Sequence, residues 1–361
     1  MIDKKMVQLM KKLLILSGML YSLNNNPATA QIKDSAKKSE QSKIAQDSVI
    51  NEKVHYAFEL LDLEKEAGFN VRSSHYQNLD SLVNELGKYI HIGGVDANSK
   101  RTQVVNNLES IDLTLKKNNF IYNDNTDLLF YEALKTKNLN SFHFLVLYLE
   151  VASKKNFTID PMKAGEHFFA SYPLDSLNSV NWETTFGIEQ SENLYKKLAK
   201  DNKKVKNLTK DEFLSREYRT IGFFLNKNKQ FKKSIEYFNK VIEINLLDPL
   251  TYKYLGDSYG VLGDKNNSLG NYDLAISLDP QFTQAYLCRG NIFCKKDKLE
   301  KALGDYNKAI ELAPENPEFY KIRGDIHSLI YRKTEDILSE KRKPKQAQKD
   351  YEKALELIFS K

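Results

Sequence analysis

Residues 252–285, YKYLGDSYGVLGDKNNSLGNYDLAISLDPQFTQA, contain one complete unit of a motif that recurs along the C-terminal part of the chain. The glycine of this unit has counterparts every 34 residues, and a tyrosine lies four residues before each glycine. In the first three units an aromatic residue follows the glycine by 16 residues, and a small or β-branched residue comes three later. The recurring residues are Gly222, Gly256, Gly290 and Gly324; Tyr218, Tyr252, Tyr286 and Tyr320; Phe238, Tyr272 and Tyr306; and Val241, Ala275 and Ala309. Such a period predicts stacked pairs of helices.

The fourth unit regains the pattern at Tyr351 and Ala354 if eleven extra residues lie within 330–348. A glycine lets two helix backbones approach closely, and the aromatic and alanine side chains interlock with the next unit. We therefore predict an all-α solenoid of four helix-pair repeats over residues 211–361, with an insertion in the last repeat.

These positions resemble the tetratricopeptide repeat family, whose arrays bind peptides or partner proteins in a concave groove. The resemblance implies that the first helix of each unit turns three positions inward: three residues before, one after and five after the glycine. The matching residues are Arg219, Phe223, Lys227, Lys253, Asp257, Asn291, Lys295 and Lys321. The predicted partner-binding residues are Arg219, Lys253, Asn291, Lys295 and Lys321. A basic face with an asparagine suits an acidic peptide or a C-terminal carboxylate, and the alternative is a merely solvated helix face.

The N-terminal half has a different pattern. Residues 50–135 alternate amphipathic helical stretches, such as VHYAFELLDLEKEA, with polar turns. The segments NFTIDP, EHFFASYP and VNWETTFG are short, aromatic or β-branched and bounded by Pro, Gly, Asn and Asp, which is typical of strands. We predict an α+β domain over 50–186, in which helices precede a small antiparallel sheet, and a helical linker over 187–210.

Polar residues lie at the edges of the predicted helix and strands. Ser141 begins the apolar stretch SFHFLVLYLEVA, His167 lies in GEHFFA, and Glu183 lies in NWETT with Asn181 as an alternative. Over about residues 120–187 this order resembles the transglutaminase-like, papain-type superfamily, whose members use Cys, His and Asp from one helix and two neighbouring strands. The resemblance implies Ser141 in the place of the nucleophile, His167 as the base and Glu183 or Asn181 as the orienting residue.

Ser141 departs from the family's cysteine. A thiol loses its proton near neutral pH when a histidine and a helix N-terminus assist it, whereas a hydroxyl needs a stronger push. Ser141 therefore has three interpretations: a vestige in a domain that now serves binding, the nucleophile of a Ser141-His167-Glu183 acyl-transfer or amide-hydrolysing enzyme, or a helix cap in an unrelated fold. We expect the first, so that the protein acts as an interaction scaffold. The alternative is an enzyme that the repeats deliver to its substrate.

The first thirty residues carry a targeting pattern. Four lysines in MIDKKMVQLMKK precede the eleven-residue apolar stretch LLILSGMLYSL, and Ala28, Thr29 and Ala30 precede Gln31. This order predicts a cleavable signal peptide over 1–30 and an exported protein, periplasmic or secreted, because a spanning helix needs about 20 apolar residues. Residues 31–48 are mostly Lys, Ser, Gln, Ala and Asp, which predicts a disordered linker.

Charge and cysteine content limit the classes of partner. Removal of the signal lowers the formal net charge from +6 to +3, which is too small to indicate a nucleic-acid partner. Cys288 and Cys294 are six residues apart on a predicted helix, so they lie on different faces and no disulfide framework or metal site is expected. No other apolar run is long enough to span a membrane. A protein or peptide partner is predicted, and no cofactor.

Overall fold

The computed structural model describes residues 55–91, 97–123, 128–164, 167–174, 179–185, 188–190, 206–335 and 345–359. The predicted signal peptide and the predicted linker over 31–48 lie outside the described residues. The described chain divides into two compact units, and the boundary falls between Ile221 and Gly222. They are called the N-terminal unit and the repeat unit below.

The N-terminal unit begins with helices. They are α1 Tyr56–Glu66, α2 Ser73–Leu86, α3 Ala97–Lys117, α4 Phe130–Thr136 and α5 Ser141–Lys155. Helix α5 is the centre of the core, because residues 141–152 are all buried and no side of the helix faces water. Its one acidic side chain, Glu150, is held by helix α1: one carboxylate oxygen lies 2.7 Å from His55 Nδ1, and the other accepts a 2.9 Å hydrogen bond from the backbone N–H of Ala57.

A five-stranded antiparallel sheet follows the helices. Its strands are β3 Asp160–Ala164, β4 His167–Pro173, β5 Ser179–Glu183, β6 Ile188–Glu189 and β7 Lys206–Asn207, in the order β6-β5-β4-β3-β7. A separate parallel pair joins β1 Ile121–Tyr122 to β2 Asn138–Leu139. Helices followed by an antiparallel sheet agree with the α+β arrangement predicted for 50–186. The helical linker predicted over 187–210 is wrong in its described part, because residues 188–189 and 206–207 are strands.

Helix α6, Lys210–Lys227, crosses the boundary between the units. Its first part belongs to the N-terminal core: the ring of Phe213 lies 4.6 Å from the rings of both Tyr56 and Phe142. The guanidinium of Arg216 stacks over Phe142 and Phe168 at 5.0 and 4.7 Å. The predicted start of the repeats at residue 211 lies one residue after the start of this helix.

After α6, all described elements of the repeat unit are helices. They are α7 Phe231–Ile244, α8 Pro249–Val261, α9 Lys265–Leu278, α10 Thr283–Lys295, α11 Leu299–Leu312, α12 Pro317–Glu335 and α13 Lys345–Phe359. A Cβ added to Gly222, Gly256, Gly290 or Gly324 would meet the aromatic ring of the second helix of the same repeat, at 2.7, 2.5, 3.2 and 3.0 Å respectively. The rings thus pack on the glycine of their own repeat, whereas the sequence prediction placed them against the next unit. The partner of Gly324 is Tyr351, so the register of the fourth repeat is confirmed. Helix α12 has 19 residues where α8 and α10 have 13, which places part of the insertion at its end.

Hydrogen bonds from two arginines connect successive repeats. Arg289 donates from Nε and Nη2 to the two oxygens of Asp305 in its own repeat, at 3.0 and 2.6 Å, and from Nη1 to Asp273 in the previous repeat at 2.6 Å. Arg323, 34 residues later, makes the same fork to Asp350 and reaches back to Asn307 at 2.7 Å. A planar guanidinium suits this geometry because it donates two parallel bonds to one carboxylate.

Candidate binding face and candidate active site

The inner face of the repeat unit is defined here as the first-helix positions three before, one after and five after each glycine. Residues four apart lie on one side of a helix, so these positions form one stripe per helix. The inner face comprises Phe223, Lys227, Lys253, Asp257, Val261, Leu287, Asn291, Lys295, Lys321, Asp325 and Leu329. Arg219, also predicted to bind the partner, precedes the boundary and lies half-buried in the N-terminal unit.

Asp257, Asn291 and Asp325 each accept a hydrogen bond from the second helix of their own repeat. The phenol of Tyr272 donates a 2.7 Å hydrogen bond to Asp257, that of Tyr306 a 2.6 Å bond to Asn291, and that of Tyr351 a 2.8 Å bond to Asp325. Burial and then the charge of Asp257 raise the pKa of Tyr272, so its phenol stays a donor. Each acceptor directly follows the repeat glycine.

Lys253 carries a compensated charge. Its Nζ lies 2.8 Å from Asp257, one helical turn along α8, and 4.8 Å from the ring centre of Tyr254. Burial by itself lowers the pKa of Lys253, but the carboxylate of Asp257 outweighs it and the pKa is raised. The thiol of Cys288 is nearby, and burial followed by the Asp257 charge raises its pKa to about 11. The face around Lys253 is thus less basic than the sequence suggested.

The other predicted residues are more open. Lys295 and Lys321 are exposed, and neither forms an ion pair within the described part of the chain. Two apolar residues share this face with them: Val261 is 63% exposed and Leu329 is 37% exposed. The sequence prediction passed over Val261, Leu287, Asp325 and Leu329, although the same three positions relative to the glycine identify them.

Ser141 is the first residue of α5 and is buried. The helix is capped by the preceding residue, since Asn140 Oδ1 accepts a 3.0 Å hydrogen bond from the backbone N–H of His143. The interpretation of Ser141 as the helix cap is therefore wrong. Its hydroxyl lies in the first turn, where the unpaired N–H groups carry partial positive charge.

The predicted acidic partners lie on strand β5. Strand alternation places Val180 and Trp182 in the core, and Asn181 and Glu183 on the other face. Asn181 Oδ1 accepts a 2.9 Å hydrogen bond from the hydroxyl of Ser171 on β4, its cross-strand neighbour. One Glu183 oxygen accepts bonds from the backbone N–H and the hydroxyl of Thr185, at 3.1 and 2.6 Å. Both side chains are buried and held within the β4–β5 hairpin region.

His167 begins β4, and its side chain lies outside the described part of the structure. The next residue, Phe168, packs against Phe142, which directly follows Ser141, with 5.4 Å between the ring centres. The start of the strand and the start of the helix therefore meet through the neighbours of the two predicted residues. The distance between the Ser141 hydroxyl and the His167 ring stays a prediction.

A buried ionisable cluster near the start of α5 was not predicted. Glu64 on α1 accepts hydrogen bonds from the backbone N–H groups of Phe130 and, at 3.0 Å, Tyr131, which begin helix α4. Glu217 on α6 lies within hydrogen-bonding reach of Glu64, and burial raises the pKa of Glu217 to about 7. His143 is close by, and burial followed by the charge of Arg216 lowers its pKa to about 3. Two buried carboxyl groups, one on α1 and one on the first part of α6, therefore lie close together in the core.

Within the described residues, no cluster of His, Cys, Asp or Glu side chains could hold a metal ion. Both cysteines are free thiols. None of the described helices combines the length and the apolar character needed to cross a membrane.

Comparison with known proteins identifies the repeats. Residues 220–246 match the family described as "Tetratricopeptide repeat", and residues 290–328 match the family described as "TPR repeat". The C-terminal part of the chain thus contains tetratricopeptide repeats, as predicted. No curated protein matches the chain.

Solved structures are similar to parts of the chain. MamA 41-end from Desulfovibrio magneticus RS-1 is 19% identical, with 42% of this chain and 78% of that chain covered and a TM-score of 0.36. The Arabidopsis OM64 TPR domain is 20% identical, with 32% and 96% covered and a TM-score of 0.31. The first TPR of Spaghetti (RPAP3), solved with the HSP90 peptide SRMEEVD, is 23% identical, with 32% and 93% covered and a TM-score of 0.32.

Proposed function

We propose that the protein is a scaffold that binds a segment of a partner protein, acidic in character, through the inner face of its repeats. The observation that supports this is the exposure of Lys295 and Lys321 together with the apolar Val261 and Leu329 on the same face. These side chains take no part in the glycine and aromatic contacts that hold the repeats together. Apolar anchors beside complementary charge are what a protein interface uses.

The test compares three versions of the full chain as bait. They are the wild type, an inner-face variant with Lys295→Glu and Lys321→Glu, and a control with Lys232→Glu and Lys349→Glu. The control makes the same charge change at exposed lysines of the second helices α7 and α13. Captured proteins are identified by mass spectrometry, and the main one is purified to measure its Kd directly.

We expect the wild type and the control to capture the same partner, and the inner-face variant to lose it. The loss should be larger at low salt, because exposed charges are screened as the ionic strength rises. Equal capture by all three baits would contradict the proposed function.

For the N-terminal unit we propose a transglutaminase-like domain without turnover. Three observations support this: Ser141 lies at the start of a buried helix, strand β4 packs beside that start, and Glu183 lies buried on the adjacent strand. The nucleophile position holds a hydroxyl, which does not ionise near neutral pH as an assisted thiol does. The domain would then position the repeats or bind a partner.

One observation favours the alternative, an acyl-transfer or amide-hydrolysing enzyme. The cap of α5 is Asn140, so Ser141 has no structural duty as the cap. A fluorophosphonate probe distinguishes the two, because it labels a serine only when a base activates the hydroxyl. Labelling of wild-type protein that disappears in Ser141→Ala would establish the enzyme.

We also propose that the protein is exported and cleaved after Ala30, from the order of charged, apolar and small-residue segments in residues 1–30. N-terminal sequencing of the native protein tests this. A chain that retains Met1 would contradict it.

A further inference from the structure

The position five residues after the repeat glycine alternates in character along the repeats. It is Lys227 in α6, Val261 in α8, Lys295 in α10 and Leu329 in α12. The lysines are exposed, and Val261 and Leu329 are two of the seven large apolar side chains that are more than one-third exposed in the described part of the repeat unit. Because they occupy corresponding points of two repeats on one face, Val261 and Leu329 offer a ligand two apolar contacts beside the lysines.

The carboxylates of the inner face restrict where a partner's acidic group can lie. Helix α8 carries Asp257, which already pairs with Lys253, and helix α12 carries Asp325 beside Lys321. Helix α10 has no carboxylate on this face, because its three positions are Leu287, Asn291 and Lys295. A partner carboxylate is therefore most favourable at Lys295, next to the neutral Asn291.

Among the residues five positions after each glycine, Lys295 comes between Val261 and Leu329 in repeat order. Helices α8 and α10 are in contact, and α10 and α12 contribute to one apolar cluster through Phe293 and Ile326. Packed helices lie about 8–10 Å apart, which is close to the ~9.3 Å that an extended polyproline II segment advances over three residues. A segment that crosses the three helices can thus place one side chain at each of them, three residues apart.

Resting on the proposed function, we propose that the inner face recognises an internal extended segment in which an acidic residue lies between two apolar residues, each three positions away. The apolar side chains contact Val261 and Leu329, and the acid pairs with Lys295. A C-terminal carboxylate is the poorer ligand, since Lys253 is occupied by Asp257 and the remaining lysines lie on separate helices.

The test uses the full chain and three fluorescent synthetic peptides measured by anisotropy. The first has both ends blocked and the core Leu-Ser-Ser-Asp-Ser-Ser-Leu. The second replaces the Asp by Asn, and the third keeps the Asn but ends in a free carboxylate. We expect the first peptide to bind about two- to fivefold more tightly than the other two, the range expected of an exposed ion pair.

Protein variants locate the contacts. Lys295→Glu should lose the first peptide and prefer one with Lys in place of Asp, and such a reversal is not produced by misfolding. Val261→Ser and Leu329→Ser should each weaken binding about fivefold or more without changing its salt dependence, because they remove apolar contact alone. The control Lys232→Glu should bind as the wild type does.

Tighter binding of the free-carboxylate peptide, or binding that ignores Lys295, would overturn this inference. If no peptide binds but the inner-face variant still loses the captured partner, the inference fails while the proposed function stands. If the baits of that earlier experiment also capture alike, both fail.

Discussion

The phenol of Tyr306 on α11 donates a 2.6 Å hydrogen bond to Asn291 on α10, and the equivalent pair recurs in the neighbouring repeats with Asp257 and Asp325 as acceptors. In the first repeat the aromatic residue is Phe238, which has no hydroxyl, and the acceptor position is the apolar Phe223. The two positions therefore change together. Each hydrogen bond links the two helices of one repeat from the side of the inner face.

Removing one of these hydroxyls should weaken the repeat unit. Tyr306→Phe keeps the ring and leaves Asn291 without its internal donor, so we expect a loss of about 0.5–1.5 kcal/mol in the free energy of unfolding. Tyr320→Phe is the control, because Tyr320 on α12 is also a tyrosine but its hydroxyl makes none of the three hydrogen bonds described above. Urea unfolding followed by helical circular dichroism measures both, and an equal effect of the two changes would contradict the role of the hydrogen bond.

The glycine contacts give a second prediction. A Cβ at Gly256 would lie 2.5 Å from the Tyr272 ring, so Gly256→Ala forces the two helices apart and should cost about 1–3 kcal/mol. Gly304 lies inside helix α11 with no atom within 4 Å of its added Cβ. Gly304→Ala should therefore stabilise by about 0.5–1 kcal/mol through helix propensity alone. Opposite signs in the two thermal midpoints are the expected result.

The repeats could be predicted because the recurring glycine and aromatic positions and the insertion are visible in the sequence, although the contact between each glycine and the ring of its own repeat was not predicted. The Lys253–Asp257 pair also follows from a spacing of four on one helix. The boundary at Ile221 could not be predicted in this way, since α6 is one continuous helix and only three-dimensional packing divides it. The strand predicted at 156–161 begins instead at Asp160, because Phe157 and Ile159 enter the core before the sheet starts.

Long-range polar contacts account for most of what sequence reasoning missed in the candidate site. Glu64 and Glu217 are 153 positions apart in the sequence. The residues around each of them predict a solvent-exposed carboxylate on an amphipathic helix. Likewise, Asn140 and Ser141 are both good caps by composition, and only the hydrogen bond to His143 shows which one acts.

Compensation of Lys253 by Asp257 predicts that two inner-face lysines differ in their structural role. Lys253→Glu sets two carboxylates one turn apart on α8 and should lower the free energy of unfolding of the repeat unit by about 1 kcal/mol or more. Lys321→Glu, at the equivalent but exposed position of α12, should change it by less than about 0.5 kcal/mol. Urea unfolding at low and high salt separates the cases, and equal losses would show that Lys253 is as solvated as Lys321.

The buried carboxyl pair makes the N-terminal unit sensitive to pH. Burial raises the pKa of Glu217 from 4.5 to about 7, so the folded state holds a proton that the unfolded state releases between these values. Stability should thus fall as the pH rises from about 4.5 to about 7, by up to ~1.4 kcal/mol per pH unit from Glu217. Burial and then the charge of Glu217 also raise the pKa of Glu64, which adds to the fall. Other ionisable groups near the pair do not titrate in this range: Arg216 stays charged, the pKa of His143 is about 3, and the raised pKa values of Tyr76 and Tyr131 keep both phenols neutral.

Glu217→Gln should remove the contribution of Glu217 and make the slope shallower, because the amide imitates the protonated acid. Trp182 is the only tryptophan of the chain and is buried in the N-terminal core, so its fluorescence reports the unfolding of that unit. Glu109→Gln, at an exposed position of α3, is the control and should retain the wild-type slope. A wild-type profile that is flat between pH 4.5 and 7 would show that the pair holds no extra proton.

Exchange of Ser141 for cysteine tests whether the geometry of an acyl-transfer site survives without its nucleophile. A thiol in the first turn of α5 has the helix N-terminus to lower its pKa, and a neighbouring imidazole would lower it further. In a background with Cys288→Ser and Cys294→Ser, Ser141→Cys should react with a small thiol-directed electrophile faster than free cysteine does at neutral pH. Adding His167→Ala should cut that rate about tenfold or more if the ring lies beside the thiol, and leave it unchanged if position 141 has only the helix terminus. Wild-type protein should stay unlabelled by a fluorophosphonate throughout. A rate that ignores His167 would remove the case for a vestigial catalytic pair and leave Ser141 as an ordinary buried residue of the core helix.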